Sequence, residues 1–136
     1  MSSFGDKRFC LPIRVYYEDT DAGGIVYYVN YLKFMERART EWLRTLGWDQ
    51  STLDVLFVVR RVETDYLQPA RLDDFLDVDV QLESAKGAKL TFLQQVSRGA
   101  ELLCQARVDV ACVDRSRLKP CRLPKDMIAA LTRVAS

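Results

Sequence analysis

The sequence contains no histidine, and this absence limits the available chemistry more than any other feature. A Ser-His-Asp triad and a Cys-His dyad both use an imidazole as base, so both are excluded. Zinc motifs built on histidine are excluded for the same reason. If the chain is an enzyme, its acid–base or nucleophilic chemistry falls to Asp, Glu, Tyr, Lys or Cys side chains.

Cysteine is scarce and widely spaced, at positions 10, 104, 112 and 121. No C-x-x-C pair is present, which excludes zinc-ribbon and thioredoxin-like sites. Cys104 and Cys112 fall in one predicted strand, too far apart along it to bond to each other. We therefore expect free, buried thiols in a reducing compartment.

Long apolar runs are also missing, since the longest is Val55 to Val59. The N-terminal segment Met1–Arg8 is polar, so neither a signal peptide nor a membrane span is predicted and a cytoplasmic protein is expected. The formal net charge of +1 gives no basic field for nucleic acid. A chain of 136 residues that is 49% hydrophobic predicts one domain, residues 1–136, with a proper core.

One strong helix follows an alternating strand. Residues 11–18 alternate, with Leu11, Ile13, Val15 and Tyr17 on the inner face. Apolar residues then recur at helical spacing, with Asn30 as the expected N-cap and Gly47 as the C-terminal cap. The apolar stripe of this helix consists of Tyr31, Phe34, Met35, Ala38, Trp42 and Leu46.

Four more strands are predicted after the helix, at residues 55–66, 75–83, 89–97 and 102–113. Residues 84–88 and 98–100 are predicted glycine turns, which favours an antiparallel meander. A short helix should start near Pro124. This order predicts an α+β fold with one helix against a curved antiparallel sheet. Because a single sheet covers a single helix incompletely, self-association is also expected.

The loop before the helix is the candidate functional segment. It places Glu18, Asp19 and Asp21 within four positions and then continues through Gly23-Gly24 into an apolar run. One interpretation is a polar turn in which Asp19 or Asp21 caps backbone N–H groups. The other is an active-site loop, in which a carboxylate acts beside a helix N-terminus that stabilises a developing oxyanion.

The stretch from Arg14 to Gly47 carries the motif D-x-D-x-x-G-I-V opening a long helix. It resembles hotdog-fold thioesterases of the 4-hydroxybenzoyl-CoA thioesterase type, closest to the YbgC-like branch associated with the Tol-Pal system. The resemblance continues to the R-L-P near the end. It implies a hotdog fold, a five-stranded antiparallel sheet around one long central helix. It also implies a homodimer or homotetramer with active sites at subunit interfaces, and hydrolysis of coenzyme A thioesters without metal or cofactor.

The same resemblance assigns roles to individual residues. The family's catalytic aspartate falls on Asp21, and its carbonyl-polarising backbone N–H falls on Tyr28, with Gly24 beside the site. The family's Y-x-x-x-D tyrosine falls on Tyr17, which is expected on the inner face of the first strand near Asp21. Many YbgC-like members carry a histidine where this chain has Tyr28, whereas the 4-hydroxybenzoyl-CoA enzymes do not.

Cationic residues elsewhere are candidates for the coenzyme A phosphates. Lys86, Lys89 and Lys119 match places where relatives hold these phosphates, although turn lysines are often only solvated. Arg60 and Arg61 are neighbours on a strand and should face opposite ways, so at most one of them, here Arg61, is expected to bind.

Several alternatives stay open at this point. Asp21 can attack the thioester directly or activate a water molecule. The chain can also be a non-catalytic hotdog scaffold that binds an acyl carrier protein or an envelope (Tol-Pal) partner. Dehydration of hydroxyacyl thioesters, another hotdog reaction, usually employs a histidine and is therefore disfavoured.

Overall fold

A computed structural model describes residues 8–48 and 54–135. The segment before residue 8, where the sequence shows no signal-peptide pattern, lies outside the described residues. In chain order the structure has strand β1 (Phe9–Arg14), a 3₁₀ turn (Tyr17–Asp19), helix α1 (Tyr28–Thr45), strands β2 (Val55–Tyr66), β3 (Phe75–Lys86), β4 (Lys89–Arg98) and β5 (Glu101–Asp114), and helix α2 (Lys125–Ala135). Among the described helices, none has the length and apolarity that crossing a membrane requires.

The strands form one antiparallel sheet in the order β1-β3-β4-β5-β2. At its centre, β3, β4 and β5 form the predicted meander. Gly87 and Gly99 make its turns at φ values of +58° and +59°, which residues with a side chain rarely adopt. The expected α+β class, with five antiparallel strands and one long helix, is confirmed.

The strand boundaries agree with the sequence pattern to within one residue, with two exceptions. β2 begins and ends as predicted. β3 runs on to Lys86 because the pairs Ala85↔Leu90 and Lys86↔Lys89 continue the ladder, so the predicted turn at 84–88 was too long. β1 ends at Arg14 rather than at residue 18, because the chain there turns away from the sheet.

Helix α1 lies against β1, β3 and β4 with its apolar stripe inward. Phe34 and Met35 are 1% and 0% exposed, and burial of such a side chain stabilises the fold by about 1.5–3 kcal/mol. The helix ends as predicted, since Gly47 has a φ of +88°. The N–H groups of Gly47 and Trp48 return to the carbonyls of Arg44 and Leu43 at 3.0 and 2.9 Å, the pattern of a Schellman motif.

A buried polar contact joins α1 to the sheet. The Arg39 guanidinium donates to Gln94 Oε1 at 2.7 Å, and Gln94 Nε2 donates to the carbonyls of Met35 and Asp79 at 3.1 Å each. Burial lowers the pKa of Arg39 to about 10. Within the described residues no carboxylate lies within 4 Å of this guanidinium, whose side-chain hydrogen bond goes to an amide, while the charge of Glu36 offsets part of the fall in its pKa.

The C-terminal helix α2 completes the core. It follows Pro124, as predicted, and buries Met127 and Leu131. All four cysteines are free. Cys104 and Cys112 are buried as expected, whereas Cys10 is exposed because it lies on the edge strand β1.

Candidate active site

The segment between β1 and α1 folds into a narrow loop that returns to the start of the helix. Thr20 pairs with Val26 as an isolated antiparallel bridge. On one side of this bridge Asp21 N–H donates to the Ile25 carbonyl at 2.9 Å, and on the other Tyr27 N–H donates to the Asp19 carbonyl at 3.0 Å. These bonds fix both halves of the acidic motif relative to the helix.

Asp19 holds the loop and the helix together. Its Oδ2 accepts the Tyr16 N–H at 2.9 Å, and its Oδ1 accepts the Asn30 side-chain amide at 2.8 Å. Asn30 was predicted as the N-cap, but it lies inside α1 and is only 9% exposed. The prediction was wrong because Tyr28 and Val29 already adopt helical geometry, which leaves the Asn30 amide to reach back to Asp19.

Asp21 is exposed at the tip of the loop. Its Oδ1 accepts only the nearby Gly23 N–H, at 2.8 Å, and the part of the chain that the structure describes supplies no partner for Oδ2. The Asp21 carbonyl accepts the Gly24 N–H at 3.0 Å, in a turn where Gly24 has a φ of +79°. The carboxylate is therefore held in place by the backbone while one oxygen stays available.

The start of α1 carries unused hydrogen-bond donors. Its N-cap is Tyr27, whose side chain makes no capping bond. Across residues 8–48 and 54–135, the backbone N–H groups of Tyr28 and Val29 find no acceptor. Such a terminus combines free donors with the positive end of the helix dipole and suits an anionic oxygen.

Aromatic rings surround this helix start. The Tyr28 ring lies 4.9 Å from Tyr27 and 6.0 Å from Tyr66, and the Tyr31 ring lies 5.6 Å from Tyr66. Tyr31 is buried and its hydroxyl accepts the Ala70 N–H at 2.9 Å. A side-chain hydrogen bond with Tyr28 raises the pKa of Tyr27, and burial raises the pKa of Tyr66.

Tyr66 was not predicted at the site, although the alternation of β2 places its side chain on the inward face and could have indicated it. It faces Cys104 across the β2–β5 ladder, and Cys104 points to the core. Tyr17 was predicted on the inner face of the first strand, and this prediction was wrong. Tyr17 begins the 3₁₀ turn and is 82% exposed, because the Asp19 bond to Tyr16 N–H bends the chain out of the strand.

A separate cationic cavity of about 440 Å³ lies at the other half of β2, with Arg60, Arg61 and Lys89 in its wall. Arg60 and Arg61 were expected to face opposite ways. A β-bulge between Val59 and Arg61 breaks the alternation and brings both arginines to the cavity. Lys86 and Lys119 are exposed and do not line this cavity.

Comparison with known proteins adds the family. The thioesterase-like superfamily matches residues 15–131. The chain is 49% identical over 129 residues to the acyl-CoA thioesterase YbgC of Haemophilus influenzae, covering 92% of this chain and 95% of the relative. It is 47% identical over 125 residues to the acyl-CoA thioester hydrolase YbgC of Escherichia coli, covering 89% and 93%.

The chain belongs to the thioesterase-like superfamily. A probable thioesterase from Bartonella henselae superimposes on this superfamily member with a TM-score of 0.83 at 34% identity, covering 87% of this chain and all of the other. A 1,4-dihydroxy-2-naphthoyl-CoA thioesterase from Synechocystis gives a TM-score of 0.86 at 24% identity, covering 96% and 99%. At 24% identity, the likeness to the Synechocystis enzyme concerns the fold alone. The hotdog fold that the sequence predicts is confirmed.

In this thioesterase-superfamily fold, the structure gathers only part of the expected site. Asp21 and Gly24 share one turn, and the chain continues directly to Tyr28 at the helix start. Tyr17 is 82% exposed, and within the described residues its side chain makes no hydrogen bond to Asp21, Gly24 or Tyr28. Among the described residues no group of three metal-binding side chains is present.

Proposed function

We propose that this protein hydrolyses acyl-coenzyme A thioesters to a free acid and coenzyme A, with Asp21 as the catalytic carboxylate. One observation carries the proposal: Asp21 is the acid of the D-x-D motif that keeps one carboxylate oxygen out of the hydrogen bonds of the loop. Asp19, two residues earlier, makes two structural hydrogen bonds. The names of the YbgC relatives agree with this activity.

The start of α1 supplies the second component of the reaction. In the proposed complex the thioester carbonyl accepts the unused Tyr28 N–H. This donor and the helix dipole then stabilise the charge that develops on the oxygen in the transition state. Loss of one such donor typically lowers the rate about 100- to 1000-fold. The positive φ of Gly24 lets the loop turn tightly beside the carbonyl.

Two routes for Asp21 are chemically complete. As a nucleophile, the carboxylate displaces the thiolate of coenzyme A and forms a mixed anhydride, which water then cleaves. As a general base, Asp21 takes a proton from water, which attacks the carbonyl directly. A single turnover in ¹⁸O-water tests the first route, because water that attacks the Asp21 carbonyl of the anhydride leaves labelled oxygen in Asp21, whereas general-base catalysis leaves none there.

The test of the proposed activity compares neighbouring acids in one loop. Asp21→Asn should lower kcat/KM about 100- to 10,000-fold with unchanged thermal unfolding. Glu18→Gln, a matched change at an exposed acid three residues earlier, should retain activity. Wild-type turnover by Asp21→Asn would rule Asp21 out.

A panel of short, long and aromatic acyl-CoAs with free-thiol detection defines the acyl preference, and hydrolysis of none of them would favour the scaffold alternative.

The cationic cavity is the proposed site for the coenzyme A phosphates. Lys89 Nζ lies 3.5 Å from Asp109 Oδ2, and Arg61 Nη2 lies 2.6 Å from Glu63 Oε1. The positive charges of Lys89 and Arg61 are therefore partly neutralised. Arg60 pairs with no carboxylate of the described residues, and we rank it above Arg61 as a phosphate ligand. Arg60→Gln should raise KM for acyl-CoA more than Arg61→Gln does, with kcat unchanged. Equal, wild-type KM values in both variants would exclude the cavity.

We further propose a homodimer formed through β2. The two free edges of the sheet differ, since β1 contains Pro12 whereas β2 has twelve residues without proline. Val58 and Val59 of β2 are 45% and 43% exposed, and an apolar unpaired edge is a template for strand pairing. Because Tyr66 ends this strand and contacts Tyr28, a second subunit there would adjoin the active site. Analytical ultracentrifugation tests whether the protein is a dimer in solution.

A further inference from the structure

Two free thiols lie close together where the chain turns back after β5. Cys112 is on β5 and Cys121 is on the segment that leads to α2, and their Sγ atoms are 3.6 Å apart. Cysteine spacing does not predict this pair, because eight residues separate Cys112 from Cys121 and no C-x-x-C motif joins them. The pair depends on how the chain turns back after β5.

The backbone holds the two cysteines opposite each other. Val113 and Pro120 form an antiparallel bridge, and Cys121 N–H donates to the Cys112 carbonyl at 3.0 Å. Beyond the pair, Leu123 N–H donates to the Gly87 carbonyl at 2.9 Å. Since a disulfide has an S–S bond of about 2.05 Å, the sulfur atoms need to approach by about 1.6 Å, which side-chain rotation can supply.

The two thiols differ in exposure. Cys112 is buried, and burial together with the neighbouring thiol raises its pKa to about 12. Cys121 is only partly buried. An oxidant from solution therefore meets Cys121 first, while Cys112 stays protonated until a sulfur electrophile is placed beside it.

We propose that Cys112 and Cys121 form a reversible intramolecular disulfide when the protein meets a small-molecule disulfide. The Cys121 thiolate attacks one sulfur of the oxidant, which releases one thiol and leaves a mixed disulfide. Cys112 then loses its proton and attacks the Cys121 sulfur, which releases the second thiol. The protein loses two hydrogen atoms, and the small-molecule disulfide is reduced to two thiols.

This bond would fasten the segment before α2 to β5. Pro120, next to Cys121, lines the same cavity as Arg60, Arg61 and Lys89. The disulfide therefore also fixes one wall of that cavity. The closed loop of about ten residues should raise Tm by about 5–10 °C at fixed protein concentration.

The test uses oxidised glutathione on the full chain, followed by trypsin without reductant. Because cleavage sites lie at Arg107, Arg115, Arg117 and Arg122, a disulfide links the peptides 108–115 and 118–122. We expect this linked pair, its loss with dithiothreitol and the rise in Tm. Cys10→Ser, which removes the exposed thiol, should retain all three, and Cys121→Ser should lose them. Glutathione adducts at Cys121 without the linked pair, or an unchanged Tm on oxidation, would overturn the proposal.

Discussion

Asp19→Ala is expected to destabilise the fold by about 1.5–4 kcal/mol, because the Asp19 carboxylate holds the acidic loop to helix α1. Two hydrogen bonds end on its carboxylate, from Tyr16 N–H and the Asn30 amide. The first is exposed and contributes about 0.5–1 kcal/mol. The second leaves a donor on Asn30, which is 9% exposed, without a partner, at a cost of about 1–3 kcal/mol.

Thermal and urea unfolding of matched variants, at one protein concentration, checks this value. Asp19→Ala should lower Tm by about 5–15 °C in a domain of this size. Asp19→Asn keeps an oxygen acceptor and should retain most of the stability. Asp21→Ala loses only an exposed bond to Gly23 N–H and should stay within about 0.5–1 kcal/mol of wild type. A Tm loss in Asp21→Ala as large as that in Asp19→Ala would refute the division of roles between the two acids.

Three further predictions address the turn, the pH dependence and the sheet edge. Gly24→Ala should cost about 1–2 kcal/mol through its φ of +79° and also lower kcat, whereas Gly99→Ala at φ +59° should cost as much with kcat unchanged. Burial raises the pKa of Asp74, but hydrogen bonds from a backbone N–H and from Arg98 outweigh it and lower the pKa. The contribution of this carboxylate is therefore present at neutral pH and lost as the pH falls through its folded pKa, so Arg98→Gln should destabilise more at about pH 7 than at about pH 3 in urea unfolding. Val59→Lys should shift sedimentation toward the monomer, since a charge on an exposed edge blocks strand pairing, and an unchanged oligomer would count against β2 as the interface.

The sequence predicted the regular parts of this fold because their patterns are local. Alternation in β3 identified its buried side, and Leu76 and Val78 are 1% and 0% exposed. Helical spacing identified the buried stripe of α1, and Gly47 marked its end. These patterns need no knowledge of partners distant in sequence.

The errors fall where one hydrogen bond or one extra residue changes the local geometry. Alternation placed Tyr17 inside, but the Asp19 bond to Tyr16 N–H starts a 3₁₀ turn and exposes it. Alternation also separated Arg60 from Arg61, and a bulge brings both to one cavity. In each case the period of two fails because the chain leaves regular strand geometry for a residue or more.

The acidic loop was ambiguous for a different reason. From composition, Asp19 and Asp21 are equivalent, since either can cap backbone N–H groups or act on a substrate. The structure separates them by use: Asp19 accepts a hydrogen bond on each oxygen, whereas Asp21 accepts one from its own turn. A carboxylate with both oxygens committed must break a stabilising bond before it can attack or accept a proton, and that cost adds to the barrier. Asp21 has one free oxygen and needs to break no such bond. We therefore expect Asp21 to react and Asp19 to hold the loop.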